Sequence, residues 1–336
     1  MFRSTLNKTS SSIFSNFLSN SSRQVRFASC LSKKSFVMEE RFPEQVTKKV
    51  QDAFSDILDT VKMPPSHNYT VKFWLMLEEE LQTAAKQNDS DALRLLDTFK
   101  RFKTSTDKVL ELSGVPLDPL WVSKTRKNHY PTTVYSNAAI AYLMWYEALK
   151  DPAIRDLFIV DSNEYSWWLP PHTDQLCTRD PKVDLFSLTW IKSNGTVKTF
   201  ILDADLIYDS LSQKSKGILS RDIFIFNNPW SRDSGLPFAI FYTQGDKRYI
   251  NFDCDVSWLT WKRSTEVPEE DIQKSLNELL SVTHKMYSED KSHNSYLKRW
   301  TSAFVKNHEV LHGREATHTE RVLARFYYTE KKDRDR

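Results

Sequence analysis

The sequence predicts an α+β fold, helices first and strands later, and three observations carry that prediction. Apolar residues recur at helical spacing through residues 41 to about 113. Beyond about residue 151 the chain breaks into short β-branched and aromatic runs separated by turn signals. The 336 residues are 40% apolar and 13% aromatic, enough for a sizeable core in one large domain or two ordinary ones.

The first stretch differs in kind. From Met1 to Met38 there is no Asp or Glu, while Arg3, Lys8, Arg23 and Arg26 punctuate a Ser-rich segment with Phe2, Phe14 and Phe17. This is the composition of a mitochondrial transit peptide, expected over residues 1–35 with a cleavage zone after Arg26 in "SSRQVRFASC". Matrix localisation is the corresponding expectation.

Residues 36–150 read as a mostly helical region. "FPEQVTKKVQDAFSDILDTVKM" places Val46, Val50, Phe54, Ile57, Leu58 and Val61 on one helical face, and Pro64-Pro65 stops it. "TVKFWLMLEEELQTAAKQ" and "DSDALRLLDTFKRFKTSTDKVLELS" continue in the same style, the latter capped by Asp89 or Ser90. A further apolar helix is expected around "YSNAAIAYLMWYEALKD".

Residues 151–330 read as the β-rich part. "DLFSLTWIKSNGTVKTFILD", "RDIFIFNN" and "LPFAIFYTQGDKRYINFD" are strand runs, with a hairpin expected at Asn194-Gly195. "PEEDIQKSLNELLSVTHKMYSED" is one amphipathic helix, opened by Pro268 with acids in its first turn. Two strand-like runs follow within "WTSAFVKNHEVLHGREATHTERVLARFYYTE", and residues 331–336 form a charged tail. No internal repeat is visible.

Composition excludes several classes. With 47 basic and 44 acidic residues there is no clustered cationic footprint, so nucleic acid is not an expected partner. No run approaches the ~20 apolar residues of a membrane-spanning helix. Cys30, Cys177 and Cys254 are odd in number and irregularly spaced, against a disulfide framework or a Cys-rich zinc module. Oligomeric state is not legible.

Two metal readings compete. His308-Glu309-Val310-Leu311-His312 matches the zinc-peptidase pattern H-E-x-x-H, with His318 where a third ligand can lie. That chemistry needs a helix to put both imidazoles on one face. Gly313 follows the second His, Glu315 stands where the three-His version expects Gly, and no Met follows Met286. The peptidase is therefore the weaker reading. The other has a strand ending in one metal-binding His, then a Gly and an anion-binding arginine. It also uses "WWLPPHTDQL", where His172 and Asp174 lie two apart and on a strand reach the same side while Thr173 points away. Two His and one carboxylate suit non-haem iron. By itself His-x-Asp is common and reads better as a strand-end His bonded to a nearby acid.

Taken together, "PPHTD", "NHEVLHGR" and Arg325 resemble the taurine dioxygenase and γ-butyrobetaine hydroxylase superfamily of clavaminate-synthase-like iron(II)/2-oxoglutarate dioxygenases, from about Trp167 to Tyr328. The resemblance implies a double-stranded β-helix (jelly-roll) core and Fe(2+) held by His172, Asp174 and His312. It further implies 2-oxoglutarate anchored by Arg325, with Arg321 as second choice, and touched by Thr199. A small-molecule substrate would be hydroxylated with O2, releasing succinate and CO2. A guanidinium suits the cosubstrate because its planar fork grips a carboxylate with two parallel bonds. The chain departs from the family in lacking a Gly-Asp turn before the distal His. Residues 36–150 also hold no Cys, so the Cys/His zinc module of the γ-butyrobetaine and trimethyllysine branches is absent and their substrates do not carry over.

Around the ligands, Tyr165, Trp167 and Trp168 are either a cage for a quaternary ammonium group or aromatic core packing. Arg232 and Asp233 are either zwitterion-binding or a solvated turn, and Cys177 reads as a small buried residue. A dioxygenase scaffold without turnover, serving in binding or assembly in mitochondria, is the alternative from another functional class.

Overall fold

A computed structural model describes residues 37–60, 67–115, 152–161, 168–174, 184–192, 198–227, 235–263, 266–289, 293–295, 301–316 and 322–330. The expected transit peptide, the expected helix at residues 135–151, the Asn194-Gly195 dipeptide and the tail lie outside them.

The N-terminal third opens with strand β1 (Val37–Arg41) and helices α1 (Glu44–Thr60), α2 (His67–Lys86) and α3 (Ser90–Thr104). Helix α3 starts where the Asp89 side chain accepts the N–H groups of Asp91 and Ala92, and it buries Ala92, Leu95, Phe99 and Phe102 at helical spacing. It stops at Thr104, and the chain turns where Asp107 donates its N–H to Ser105 Oγ. The expected continuation of the helix to Ser113 is corrected here: Val109–Ser113 is strand β2, parallel to β1. Its alternating Val-Leu-Glu-Leu-Ser meets the sheet period, and partners on both sides decide the conformation. The helical region thus contributes two strands to the main sheet.

The remaining strands are β3 (Pro152–Asp161), β4 (Leu169–His172), β5 (Leu185–Lys192), β6 (Thr199–Asp203), β7 (Phe224–Phe226), β8 (Pro237–Phe238), β9 (Phe241–Gln244), β10 (Lys247–Ile250), β11 (Leu259–Trp261), β12 (His293–Ser295), β13 (Thr301–Lys306), β14 (Val310–Arg314) and β15 (Val322–Glu330). Short helices α4 (Ala204–Asp209) and α5 (Gln213–Leu219) follow β6, and the long helix α6 (Glu269–Ser288) precedes β12. Pro268 opens α6 with Glu269, Glu270 and Asp271 in its first turn, as the sequence predicts.

Six strands form one sheet in the order β1-β2-β13-β5-β15-β3, and four form a second in the order β12-β6-β14-β4. Strands β5 and β6 therefore lie in different sheets and do not pair with each other, which corrects the expected hairpin. Between the sheets pack Val109, Phe186, Leu188, Ala303 and Val305 from the first and Ile201 and Val310 from the second. A second core lies where α6 buries Ile272, Leu276 and Leu279 with Leu202, Leu311, Phe224, Phe241 and Phe252. Among the described residues no helix is long and apolar enough to cross a membrane.

Candidate metal centre

Strand β14 lies between β4 and β6, and its register places His312 opposite both His172 and Ile201. Opposed residues of antiparallel strands project to the same face. The two imidazoles are accordingly neighbours, with ring centroids 4.4 Å apart, and the ring of Phe186 from the facing sheet lies 4.4 Å from that of His312. Gly313 between His312 and Arg314 allows this close packing, because a Cβ there would fall 2.5 Å from Phe200 Cζ and 2.7 Å from the Leu169 carbonyl.

Asp174 completes the group from a bend just past β4. His172 Nε2 is 3.6 Å from its Oδ1 and His312 Nε2 is 3.3 Å from its Oδ2. One ligand atom from each of the three lies within 4.8 Å of the others. His172 Nδ1 stands 2.8 Å from the Pro170 carbonyl, which can only accept, so Nδ1 carries the proton and the Nε2 lone pair faces inward. Burial works to lower the His172 pKa, but the hydrogen bond and charge of Asp174 and the charge of Asp253 outweigh it and raise the value. A divalent cation would take the place of the second proton, the one that the charged imidazole carries on Nε2, and leave the Nδ1 proton hydrogen-bonded to the Pro170 carbonyl. Two imidazole nitrogens and one carboxylate in a part-buried pocket match a non-haem iron site, so these residues fit the metal.

The alternative zinc pattern is not assembled. Asn307–Glu309 form one 3₁₀ turn and Val310–Arg314 a strand, so His308 and His312 do not share a helical face. His308 Nδ1 lies 3.4 Å from the Ile250 carbonyl, and Glu309 is ion-paired to Lys247 at 3.2 Å.

Thr199 opens β6 opposite Arg314, buried and on the same face as Ile201 and His312. Arg325 occupies the β15 position in register with Leu188, whose side chain belongs to the inter-sheet core. Trp168 is half-buried just before β4. Arg321, Tyr165, Trp167, Cys177, Arg232, Asp233 and His318 fall outside the described residues.

Three residues escaped the sequence reading. Residues 171–173 run beside 252–254, with Thr173 N–H donating to the Phe252 carbonyl at 2.9 Å and Cys254 N–H to that of Pro171 at 3.0 Å. These two bonds flank His172 and Asp253, which makes them a non-hydrogen-bonded antiparallel pair, the kind with the closer side chains. Ile250, Phe252 and Cys254 enter the second core. Asn251 and Asp253 therefore take the other face, that of His172. Burial raises the Asp253 pKa, and the His172 charge opposes the shift. The alternation in "INFDCD" is the signal that could have found them. The third, Asn307, holds Asp174 by its main chain, Oδ1 accepting the Asp174 N–H at 3.0 Å and Nδ2 donating to the Asp174 carbonyl at 2.9 Å.

With this geometry in place, the likeness to solved structures can be read. The non-haem iron oxygenase OrfP in complex with Fe, succinate and (3R,4R)-dihydroxy-L-Arg superposes with a TM-score of 0.61 at 14% identity, over 87% of this chain and 94% of that one. Asparagine oxygenase in complex with Fe(II), 2S,3S-3-hydroxyasparagine and succinate gives 0.61 at 14% identity, over 87% and 93%. OrfP with Fe and L-Arg gives 0.61 at 14% identity, over 87% and 94%. No protein-family model and no curated protein sequence matches the chain. The chain shares the fold of these solved structures, as the resemblance carried by "PPHTD" and "NHEVLHGR" implies.

Proposed function

We propose that this protein is an iron(II)/2-oxoglutarate-dependent dioxygenase with a double-stranded β-helix core, hydroxylating a small molecule with consumption of O2 and release of succinate and CO2. The observation that carries the reading is the convergence of His172, Asp174 and His312 on one point between two sheets. Bound there, iron with 2-oxoglutarate supplies the oxidising power to hydroxylate an unactivated C–H bond. The chain's own residues supply the rest. His172, Asp174 and His312 would hold the metal through two imidazole nitrogens and one carboxylate oxygen. Phe186 and the inter-sheet aliphatic residues keep water from the reacting centre. Arg325, whose strand position borders that core, and Thr199 on the opposite sheet supply a guanidinium and a hydroxyl for the far carboxylate of 2-oxoglutarate.

For the substrate, an amino acid, methylated amine or related carboxylate is the class that the site favours. Asp253 puts a carboxylate beside His172, suited to an ammonium or guanidinium group. The structural neighbours OrfP and asparagine oxygenase carry L-Arg and hydroxyasparagine in their complexes, which supports the same class. The Arg- and Ser-rich, acid-free first 35 residues support mitochondrial import, tested by the location of those residues fused to a fluorescent protein.

The deciding experiment is succinate formation from 2-oxoglutarate by iron-loaded protein, expected in the unaltered chain and absent in Asp174→Ala. Metal retention without any turnover would favour the binding or assembly protein instead, and absence of both would end the iron reading.

A further inference from the structure

Asp174 stands beyond the last residue of β4, on a bend, so strand alternation does not fix its carboxylate. The bend is held across 133 residues of sequence by the fully buried side chain of Asn307. We propose that Asn307 is a positioning residue of the metal centre: its amide grips the Asp174 main chain in both directions and so sets that ligand relative to His312. The inference rests on the metal reading above and concerns a residue that does not touch the metal.

The chemistry of the grip is specific. A side-chain amide is the neutral group of this size that offers a donor and an acceptor side by side, matching the N–H and C=O of one residue as a neighbouring strand would. Its orientation follows from its partners, since only Oδ1 can accept the Asp174 N–H and only Nδ2 can donate to the carbonyl. Asn307 is fixed in turn. Its own N–H donates to the Asp184 carbonyl at 3.0 Å, and the N–H of Lys306 donates to that of Lys108 at 2.9 Å. Lys306 Nζ donates to the Ser105 carbonyl at the end of α3 at 2.9 Å and lies 4.9 Å from the Phe102 ring centroid. A continuous support therefore runs from α3 through Lys306 and Asn307 to Asp174. His312 lies on the strand that begins directly after the same 3₁₀ turn. One short segment thus carries one ligand and braces another, and the N-terminal helical region stands behind both.

The test is a titration of the full-length apo-protein with Co(II), followed by its visible absorption, in the unaltered chain, Asn307→Ala and Asn307→Ser. Serine keeps a hydroxyl but is too short to span both main-chain groups, and it serves as the second variant where alanine does not fold. Both variants are expected to bind Co(II) about 10–100-fold more weakly, the usual cost of losing an outer partner of a ligand. Band intensities should change, and the metal-induced rise in Tm should shrink. A merely structural asparagine would lower the apo-protein's Tm and leave the Co(II) affinity and spectrum intact, and that result in either folded variant overturns the proposal. Failure of the unaltered protein to bind Co(II) overturns the metal reading itself, and this inference with it.

Discussion

His312 Nε2 lies 3.3 Å from Asp174 Oδ2, with the two residues carried on different segments of the chain. The first prediction follows from that approach. Asp174→Asn keeps the side-chain shape and the main-chain grip of Asn307 but removes the charge that attracts a divalent cation. Metal affinity should fall by more than the roughly 10–100-fold typical of an outer partner, and succinate formation should become undetectable. Calorimetric titration with Fe(II) under anaerobic conditions measures the first and product assay the second.

The neighbouring glycine gives a stability prediction. At Gly313 a methyl group would meet both a ring that can shift and the Leu169 carbonyl, which is backbone and cannot. Gly313→Ala should cost about 3 kcal/mol, at the upper end of overpacking effects. Gly217 in α5 has nothing within 4 Å of the same atom, and Gly217→Ala should instead stabilise by about 0.5–1 kcal/mol through helix propensity. Urea unfolding midpoints compare the two, and equal effects would contradict the packing account.

Lys306 should make stability depend on pH. Burial, deepened by Lys247 and Lys108 and opposed by Glu309 and Asp107, lowers its amine to about 8 from an ordinary 10.5. Between those values the unfolded chain holds a proton that the folded one has released. Stability therefore rises with pH through the window, by up to about 3 kcal/mol, and the cost is present in full below pH 8. In Lys306→Met this rise should vanish. Unfolding free energies at pH 7.5, 9 and 10.5 for both proteins check it, parallel curves being the contrary result.

How far the sequence speaks for itself differs by level. The start of α3 at Asp89 and of α6 at Pro268 was legible, because caps and first-turn acids are local chemistry. The triad was legible because His172, Asp174 and His312 sit in recognisable phrases. Strand β2 was not: "VLELS" continues a helical pattern, and its state is decided by β1 and β13, which pair with it from distant parts of the chain. The Asn194-Gly195 hairpin failed for a related reason. A turn signal fixes a local bend but not whether the flanking strands pair with each other or with others. Asn307 and Asp253 were invisible as site residues, since their roles exist only once the sheets bring His172 and Asp174 alongside.

The proposed anchor of 2-oxoglutarate, Arg325, can be separated from its alternative, Arg321. Replacing a bidentate guanidinium by a point charge forfeits about 1.5–3 kcal/mol, so Arg325→Lys should raise KM for 2-oxoglutarate about 10–100-fold. Thr199→Val, losing a single hydroxyl-to-carboxylate bond where the guanidinium makes two, should raise it less than Arg325→Lys does. Both should affect KM more than kcat. If Arg321→Lys raises KM while Arg325→Lys does not, the anchor is Arg321.

Asp253 distinguishes substrate recognition from turn formation. Its Oδ1 accepts the Asp255 N–H at 2.8 Å, a local turn that Asn would preserve, while the negative charge beside His172 would be lost. Asp253→Asn therefore keeps the loop and removes only the electrostatic partner. Among amino acids and methylated amines that stimulate 2-oxoglutarate consumption, those with a cationic group facing Asp253 should show KM raised about 10–100-fold in the variant, with KM for 2-oxoglutarate little changed. Steady-state assays with L-arginine, L-lysine and L-asparagine as probes separate the outcomes. A variant that loses affinity for 2-oxoglutarate and for all three probes alike would mark Asp253 as a support for His172. A variant unchanged towards every probe would reduce it to a turn former.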